Sequence, residues 1–265
     1  MKIPFYIVNA FDKKPFSGNP TGVCILEEWL STDDLKQIAS QNGISETVFL
    51  FPSGSNAWSI RWFSPIVEKE ISGHGAMAAA HILFTEGFSN SNRLVRFSSN
   101  GGQLSVSQIE QGFLRLEMNS LKARSSIASP LLIEGLGAYP DEVFLGLDCL
   151  CVFSDESIVS ELQPEHRIIK RISSARGIIV TARSSEKELD YVTRFFAPRI
   201  GVDEDQANGS IHGLLVPYWS RKLGKEKMFT KQLSPRGASI ECGLIEERIW
   251  LEGYNETFLR GEISL

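Results

Sequence analysis

One five-residue pattern occurs twice, about half a chain apart. Residues 61 to 65 read Arg-Trp-Phe-Ser-Pro, and residues 194 to 198 read Arg-Phe-Phe-Ala-Pro. Ten residues past Pro65 begins the small pair Gly75-Ala76, and eleven past Pro198 begins Gly209-Ser210. Each pair leads into a long, mostly apolar segment that carries a histidine, His81 in the first half and His212 in the second. A solenoid needs more and shorter repeats, so this spacing indicates a duplicated domain. With few other polar signals in the chain, the seam between the halves is where chemistry is expected.

At 265 residues the chain suffices for two domains of ordinary size. A hydrophobic share of 42% and a charged share of 22% fit a soluble globular protein. The net charge is −5, and Lys and Arg form no stripe, which argues against nucleic-acid binding. The apolar stretch near the N-terminus is too short for the core of a signal peptide, and no run approaches a membrane span. A cytoplasmic location without membrane contact is the expectation. The four cysteines, Cys24, Cys149, Cys151 and Cys242, show no paired metal spacing.

Patterning predicts strands at 2–10, 22–26, 47–51 and 58–63, and a helix capped by Thr32 and ending near Gly43. Residues 73–86 are apolar nearly all round with Gly87 as a stop, which requires a helix buried on every side. Three strands, 94–97, 103–109 and 113–117, read as a meander. The second half predicts a surface helix at 157–162 and strands at 177–182, 191–196, 228–233, 238–245 and 248–252. Its apolar helix spans 209–223, with Pro217 inside as a kink or a lost hydrogen bond. Residues 121–130 read as the connector. The division is therefore 1–120 and 121–265, with the last residues crossing back to the first domain. About two helices per half are too few to cover a doubly wound sheet. The fold class expected is α+β: two similar domains, each a mixed β-sheet or barrel wrapped around its hydrophobic helix, with a site in the cleft between them.

Glu46, in Ile44-Ser45-Glu46-Thr47-Val48-Phe49, stands at the mouth of an apolar strand. It is either a solvent-facing strand-start residue or a partly desolvated carboxylate suited to moving a proton near neutral pH. His74 lies between Gly73 and Gly75 at the first turn of the buried helix, where free amides attract an anion; capping the helix is its other reading. Asp205 and Ser210 bracket the equivalent turn, and an N-cap is the plain role for Asp205. His81 and His212 read as core residues, and Arg61 and Arg194 as structural salt-bridge residues. Ser17-Gly18-Asn19-Pro20 presents backbone amides, and Ser234-Pro235-Arg236-Gly237 can bring Arg236 to an anionic substrate. No phosphate loop, dinucleotide glycine pattern, zinc-protease motif or nucleophile elbow occurs.

Taken together these residues resemble the phenazine-biosynthesis PhzF-like family of the diaminopimelate-epimerase-like fold. The similar elements run in order: Asp12 to Pro20, Ser45-Glu46-Thr47, Arg61 to Pro65, Ser72-Gly73-His74, Arg194 to Pro198, Glu204-Asp205, Gly209-Ser210, Pro217-Tyr218-Trp219 and Ser234 to Gly237. The resemblance implies cofactor-free isomerisation of a small carboxylate-bearing substrate by a homodimer, with no metal. Glu46 would take a proton from carbon and return it elsewhere. His74, Asp205 and Ser210 match the family's other site residues, and the amides of Gly73 and Gly209 would hold the carboxylate, with Asn19 and Arg236 as further contacts. In epimerases and racemases of this fold a cysteine in each half does the chemistry. Ser72 and Asp205 stand at those positions, which disfavours a two-thiol racemase. Gln206-Ala207-Asn208 departs from the family's usual Pro-Val-Thr, and Ala238 from a usual glycine. An epimerase of amino or imino acids and a catalytically quiet binding protein are the alternatives.

Overall fold

The computed structural model describes residues 1–14, 16–54, 56–89 and 93–265. Pro15 of the Asp12–Pro20 motif and Ser55, between the expected strands 47–51 and 58–63, lie outside the described residues. The chain forms two compact units, one of Met1–Met118 with Trp250–Leu265, the other of Asn119–Ile249.

The first unit contains β1 (Lys2–Ala10), β2 (Asn19–Ile25), α1 (Thr32–Asn42), β3 (Glu46–Gly54), β4 (Ala57–Phe63), β5 (Glu68–Lys69), α2 (Gly73–Thr85), β6 (Leu94–Ser99), β7 (Gly102–Glu110) and β8 (Phe113–Asn119). The second contains β9 (Arg124–Ser126), α3 (Pro130–Leu136), β10 (Glu142–Leu145), β11 (Cys149–Phe153), α4 (Glu156–Glu161), α5 (His166–Ile169), β12 (Ile178–Arg183), β13 (Tyr191–Phe196), α6 (His212–Leu223), β14 (Lys227–Gln232) and β15 (Ala238–Ile245). The last strand, β16 (Arg248–Ser264), starts in the second unit and ends in the first.

In the first unit the strands run in the order β1-β2-β3-β4-β6-β7-β8-β16, and β16 pairs again with β1, so eight strands close a barrel. The pairs β2–β3 and β4–β6 are parallel. Inside lies α2, packed on β1, β2, β3 and β7. Every residue of α2 from Gly73 to Leu83 is buried, as an all-round apolar helix requires. Outside, α1 covers a smaller core of Leu35, Ile38, Phe49 and Phe63. Its cap is Ser31, whose hydroxyl accepts from Asp34 N–H at 3.1 Å, while Thr32 is the first helical residue. Gly43 ends it in the left-handed region, which glycine enters without steric cost.

The second unit repeats this order. Its sheet runs β15-β14-β13-β12-β11-β10-β9, with β11–β12 and β13–β14 parallel, matching β2–β3 and β4–β6. Alternation divides its two faces. Val192 and Phe196 join Val180 in a core with residues of α3, α4 and α5. Tyr191 stacks on Trp219 of α6 at 5.5 Å, and Thr181 accepts from Trp219 Nε1 at 3.0 Å, so α6 holds the other face.

Three elements differ from the sequence reading. The expected connector contains a strand, β9, followed by a helix capped by Ser129 with Pro130 in its first turn, a start signal read as loop. The final strand continues to Ser264 because it pairs with β1 along that strand's whole length, a long-range contact no local pattern reveals. The second central helix begins at His212 rather than at 209, because Asn208 holds the preceding turn with its side chain.

Pro217 sits inside α6. It leaves the Gly213 carbonyl without its helical donor, and Leu121 N–H donates to that oxygen at 2.9 Å. A Cβ on Gly213 would stand 2.7 Å from Leu121 Cγ, so glycine there admits the replacement donor.

Candidate active site

The start of α2 is built by Ser72, whose extended backbone places its hydroxyl to accept from Gly75 N–H at 3.2 Å. That cap leaves Gly73 and His74 in the first turn. A Cβ at Gly75 would collide with Glu46 Oε1 and come within 2.6 Å of Trp62 Cδ1. Gly75 is thus the notch in which the Glu46 carboxylate lies.

Glu46 is the first residue of β3 and is fully buried. Its Oε2 lies 2.8 Å from Lys69 Nζ and its Oε1 lies 3.4 Å from His74 Nε2. Trp62 Nε1, His74 Nε2 and both carboxylate oxygens are buried without a well-formed hydrogen bond. A cluster of incompletely satisfied buried polar atoms is unusual and marks a place built for something other than stability. His74 Nδ1 makes a long contact of 3.5 Å with Ser72 Oγ. Asn19 is buried at the start of β2, where its side-chain oxygen accepts from Ser45 Oγ at 2.7 Å, one residue from Glu46. Glu46, His74, Gly73 and Asn19 therefore belong to one cluster within the first unit.

A second cluster, within the second unit, precedes α6. Asn208 Oδ1 accepts from the backbone N–H of Ser210 at 2.9 Å and from the Ser210 hydroxyl at 2.7 Å. Asp205 is not the N-cap of α6, which is Ile211; Asn208 holds the turn before the helix, and the Asp205 carboxylate accepts from Asn208 Nδ2 at 2.7 Å and so aims that side chain. Gln232 fastens the same turn from β14, accepting from Asn208 N–H at 2.9 Å and donating to the Asp205 carbonyl. Arg236 reaches this region through its backbone: its N–H donates to Gln206 Oε1 at 3.1 Å, and Ser234 Oγ donates to the Gln206 carbonyl. The departure Gln206-Ala207-Asn208 thus has a structural role. It caps the turn and ties it to the Arg236 loop.

Three residues were missed. Lys69 sits in the charged run Glu68-Lys69-Glu70, which reads as a solvated face. In the strand, alternation turns Glu68 toward Arg61, at 2.7 Å, and Lys69 toward Glu46. That alternation was the available signal. Arg176 grips Asp148 with two hydrogen bonds and donates to Ser210 Oγ at 2.9 Å. Asp148 and Arg176 stand 28 residues apart, and nothing local links them.

The register of the two hairpins compares the two clusters directly. Phe63 lies opposite Thr47, and Phe196, its counterpart in the duplicated motif, lies opposite Ile178. Glu46 therefore corresponds to Gly177. A Cβ there would approach the Phe195 ring to 2.6 Å, so this position admits no side chain. The duplication left one carboxylate at this place, not two.

The remaining candidates are structural. Arg61 binds Glu68, and Arg194 binds Glu204, each through Nε and a terminal nitrogen. His81 Nε2 meets Thr257 Oγ1 at 2.9 Å, and His212 Nδ1 meets Tyr191 OH at 2.9 Å. All four cysteines are free and buried. Burial pushes the Cys24 thiol up and Cys242 to about 12, and the Cys149 contact, then burial, pushes Cys151 up. Among the described residues, no three His, Cys, Asp or Glu side chains gather as a metal site, and no helix is long and apolar enough to cross a membrane.

The family model for "Phenazine biosynthesis-like protein" matches residues 8–256. The chain belongs to this family. It is 38% identical, over the whole of both chains, to a protein of Pseudomonas aeruginosa named an uncharacterized isomerase. A crystal structure of a PhzF-family phenazine biosynthesis protein from Enterococcus faecalis superposes with a TM-score of 0.91 at 33% identity, again over the whole of both chains. A probable proline racemase from Agrobacterium radiobacter, solved with bound carbonate, shares the fold, with a TM-score of 0.73 at 13% identity over 99% of this chain and 93% of its own. The α+β fold of two similar domains is that of PhzF proteins and of epimerases.

Proposed function

We propose that the protein is a cofactor-independent isomerase that moves a proton on a small carboxylate-bearing substrate, with Glu46 as the acid and base. The observation that carries this reading is the buried Glu46 carboxylate in the Gly75 notch, with a residue lacking any side chain at the corresponding place in the second unit. One carboxylate that accepts a proton and hands it back suits an isomerisation. An epimerase working from both faces needs two such groups, and no thiol stands where that chemistry would need one. Ser72 supplies a hydroxyl already engaged as a helix cap, and an unactivated hydroxyl is a poor base.

In this reading the amide of Gly73 holds the substrate carboxylate, since the start of α2 carries roughly half a positive charge, and the amide of Gly209, in the turn before α6, is a further donor. His74 polarises the substrate or relays its proton, Ser210 and Asp205 shape the second anchor, and Asn19 and Arg236 complete the binding surface. The isomerase name of the Pseudomonas relative supports the reaction class. The protein acts as a homodimer in this proposal, and sedimentation at equilibrium tests that part by itself.

Deuterium uptake tests the reaction. A panel of small unsaturated, hydroxy and amino carboxylates is incubated with the protein in heavy water, and proton NMR follows loss of each carbon-bound proton. Uptake is expected for a member of the panel, with Glu46→Gln slower by at least ~100-fold. Equal uptake in the variant overturns the role of Glu46. Inversion of a chiral amino acid without migration of a double bond would make the protein an epimerase instead.

A further inference from the structure

Lys69 is a residue the duplicated motif does not predict. It lies in the two-residue strand β5, directly across from Trp62 of β4. Trp62 in turn lies across from Val48, two residues past Glu46, so all these side chains share the face that meets α2. Only 7% of the Lys69 side chain is exposed, and its ammonium sits 2.8 Å from a carboxylate with no exposure at all. Burying both charges is costly, and removing one strands the other, so the pair persists only where it is held tightly. A lysine in the middle of a charged strand could face water with its neighbours Glu68 and Glu70. Here it does not.

From this geometry we propose that Lys69 is the positioning residue for Glu46. Its ammonium engages Oε2, holds the carboxylate in one orientation, and leaves Oε1 as the oxygen that takes the proton. Oε1 is the oxygen beside His74 Nε2 and over the Gly75 notch. During turnover the substrate C–H bond would break with its proton passing to Oε1, and the same proton would leave Oε1 for the product atom. Lys69 keeps its three protons throughout. The inference rests on Glu46 being the base, as proposed above, and adds how that base is kept ready. The charged groups facing Glu46 are Lys69 from β5 and His74 from α2, and the polar Trp62 Nε1 comes from β4.

Carbon-13 NMR of protein labelled at the glutamate side-chain carboxyl tests this without substrate. The Glu46 resonance is assigned by its loss in Glu46→Gln and followed against pH. Lys69→Met keeps the length and removes the charge. The midpoint of the Glu46 resonance is expected to rise by about one to three pH units in Lys69→Met, the range for loss of a close opposite charge, and to stay near the wild-type value in Lys69→Arg. An unmoved midpoint in Lys69→Met, or an equal rise in both variants, overturns the proposal. If Lys69→Met does not fold, the nitrogen-15 signal of the Lys69 ammonium decides: it is expected to be sheltered from exchange with water in the unaltered protein and lost in Glu46→Gln. A signal unchanged in Glu46→Gln overturns the pairing. Because no substrate enters, a negative carboxylate screen leaves this result standing, and a failure here leaves the isomerase reading standing.

Discussion

Gly75 and Glu46 stand 29 positions apart in the sequence, yet each defines the other's surroundings. Gly75→Ala adds one methyl group where the Glu46 oxygen and the Trp62 ring already lie. Overpacking of this kind costs roughly 1–3 kcal/mol, and part of the relief must come from moving the carboxylate. Urea unfolding is expected to show that loss, and deuterium uptake to fall with it. Gly54→Ala, whose nearest neighbour would be 3.6 Å away, serves as the control and stays within about 0.5 kcal/mol of the unaltered protein. A second residue-scale effect concerns pH. Burial lowers His212 to about 3, and burial with the Arg260 charge lowers His81 to about 4, from the usual 6.5. The unfolded chain takes up these protons first, so stability falls as pH drops below about 6.5 and is fully present above it. Between pH 7 and pH 5 His212→Gln should lose about 2 kcal/mol less than the unaltered protein in urea melts. A variant with the same loss would place the acid sensitivity elsewhere. Glu46 and His74 were legible at this scale because glycine and apolar neighbours surround them in sequence. Lys69 and Arg176 were not: alternation along Glu68-Lys69 gives the side Lys69 faces but not its partner, and nothing local links Arg176 to Asp148.

At the scale of elements, the two central helices announced themselves through composition, and the first begins at the expected Gly73. The second begins later because its start is made by a side chain. Asn208 accepts from the N–H groups of Ser210 and Ile211 and from the Ser210 hydroxyl, so one residue holds three donors. Its identity was visible, but its partners were not, and the sequence reading gave the capping role to Asp205. Replacing Asn208 with Ala should cost about 1–2 kcal/mol, the upper range for a lost cap, with Asn208→Asp recovering less than half because the new charge faces Asp205. Thermal melts of the three proteins measure this. A full recovery by Asp would mean that the Asp205 carboxylate does not face position 208. Pro217 shows the same limit from the other side. Sequence gives the missing donor, while the Leu121 N–H that replaces it is brought by a chain segment about a third of the protein away.

For the whole molecule, duplication was the strongest reading, and the strand order of the two units repeats it pair by pair. The last residues were expected to cross back, but the length of β16 was not legible, because its second half, Glu256 to Ser264, shows no regular alternation. That strand makes the units unequal in chain terms: Asn119–Ile249 is continuous, whereas the first unit needs Trp250–Leu265 to close its barrel. Residues 1–118 by themselves leave the whole of β1 without a partner on one side, from Lys2, opposite Ser264, to Ala10, opposite Asn255. An open barrel exposes unpaired backbone groups and the apolar α2 beneath them, a combination that favours aggregation. The fragment 119–249 is therefore expected to unfold cooperatively in urea. The fragment 1–118 should not, until a peptide of residues 250–265 is added, when a cooperative transition should appear and its midpoint rise with peptide concentration, as linkage requires for a ligand that binds the folded form. A cooperative transition of 1–118 that ignores the peptide would show that β16 is an ornament on a barrel already complete, and would remove the closing strand from the account of how this fold holds α2.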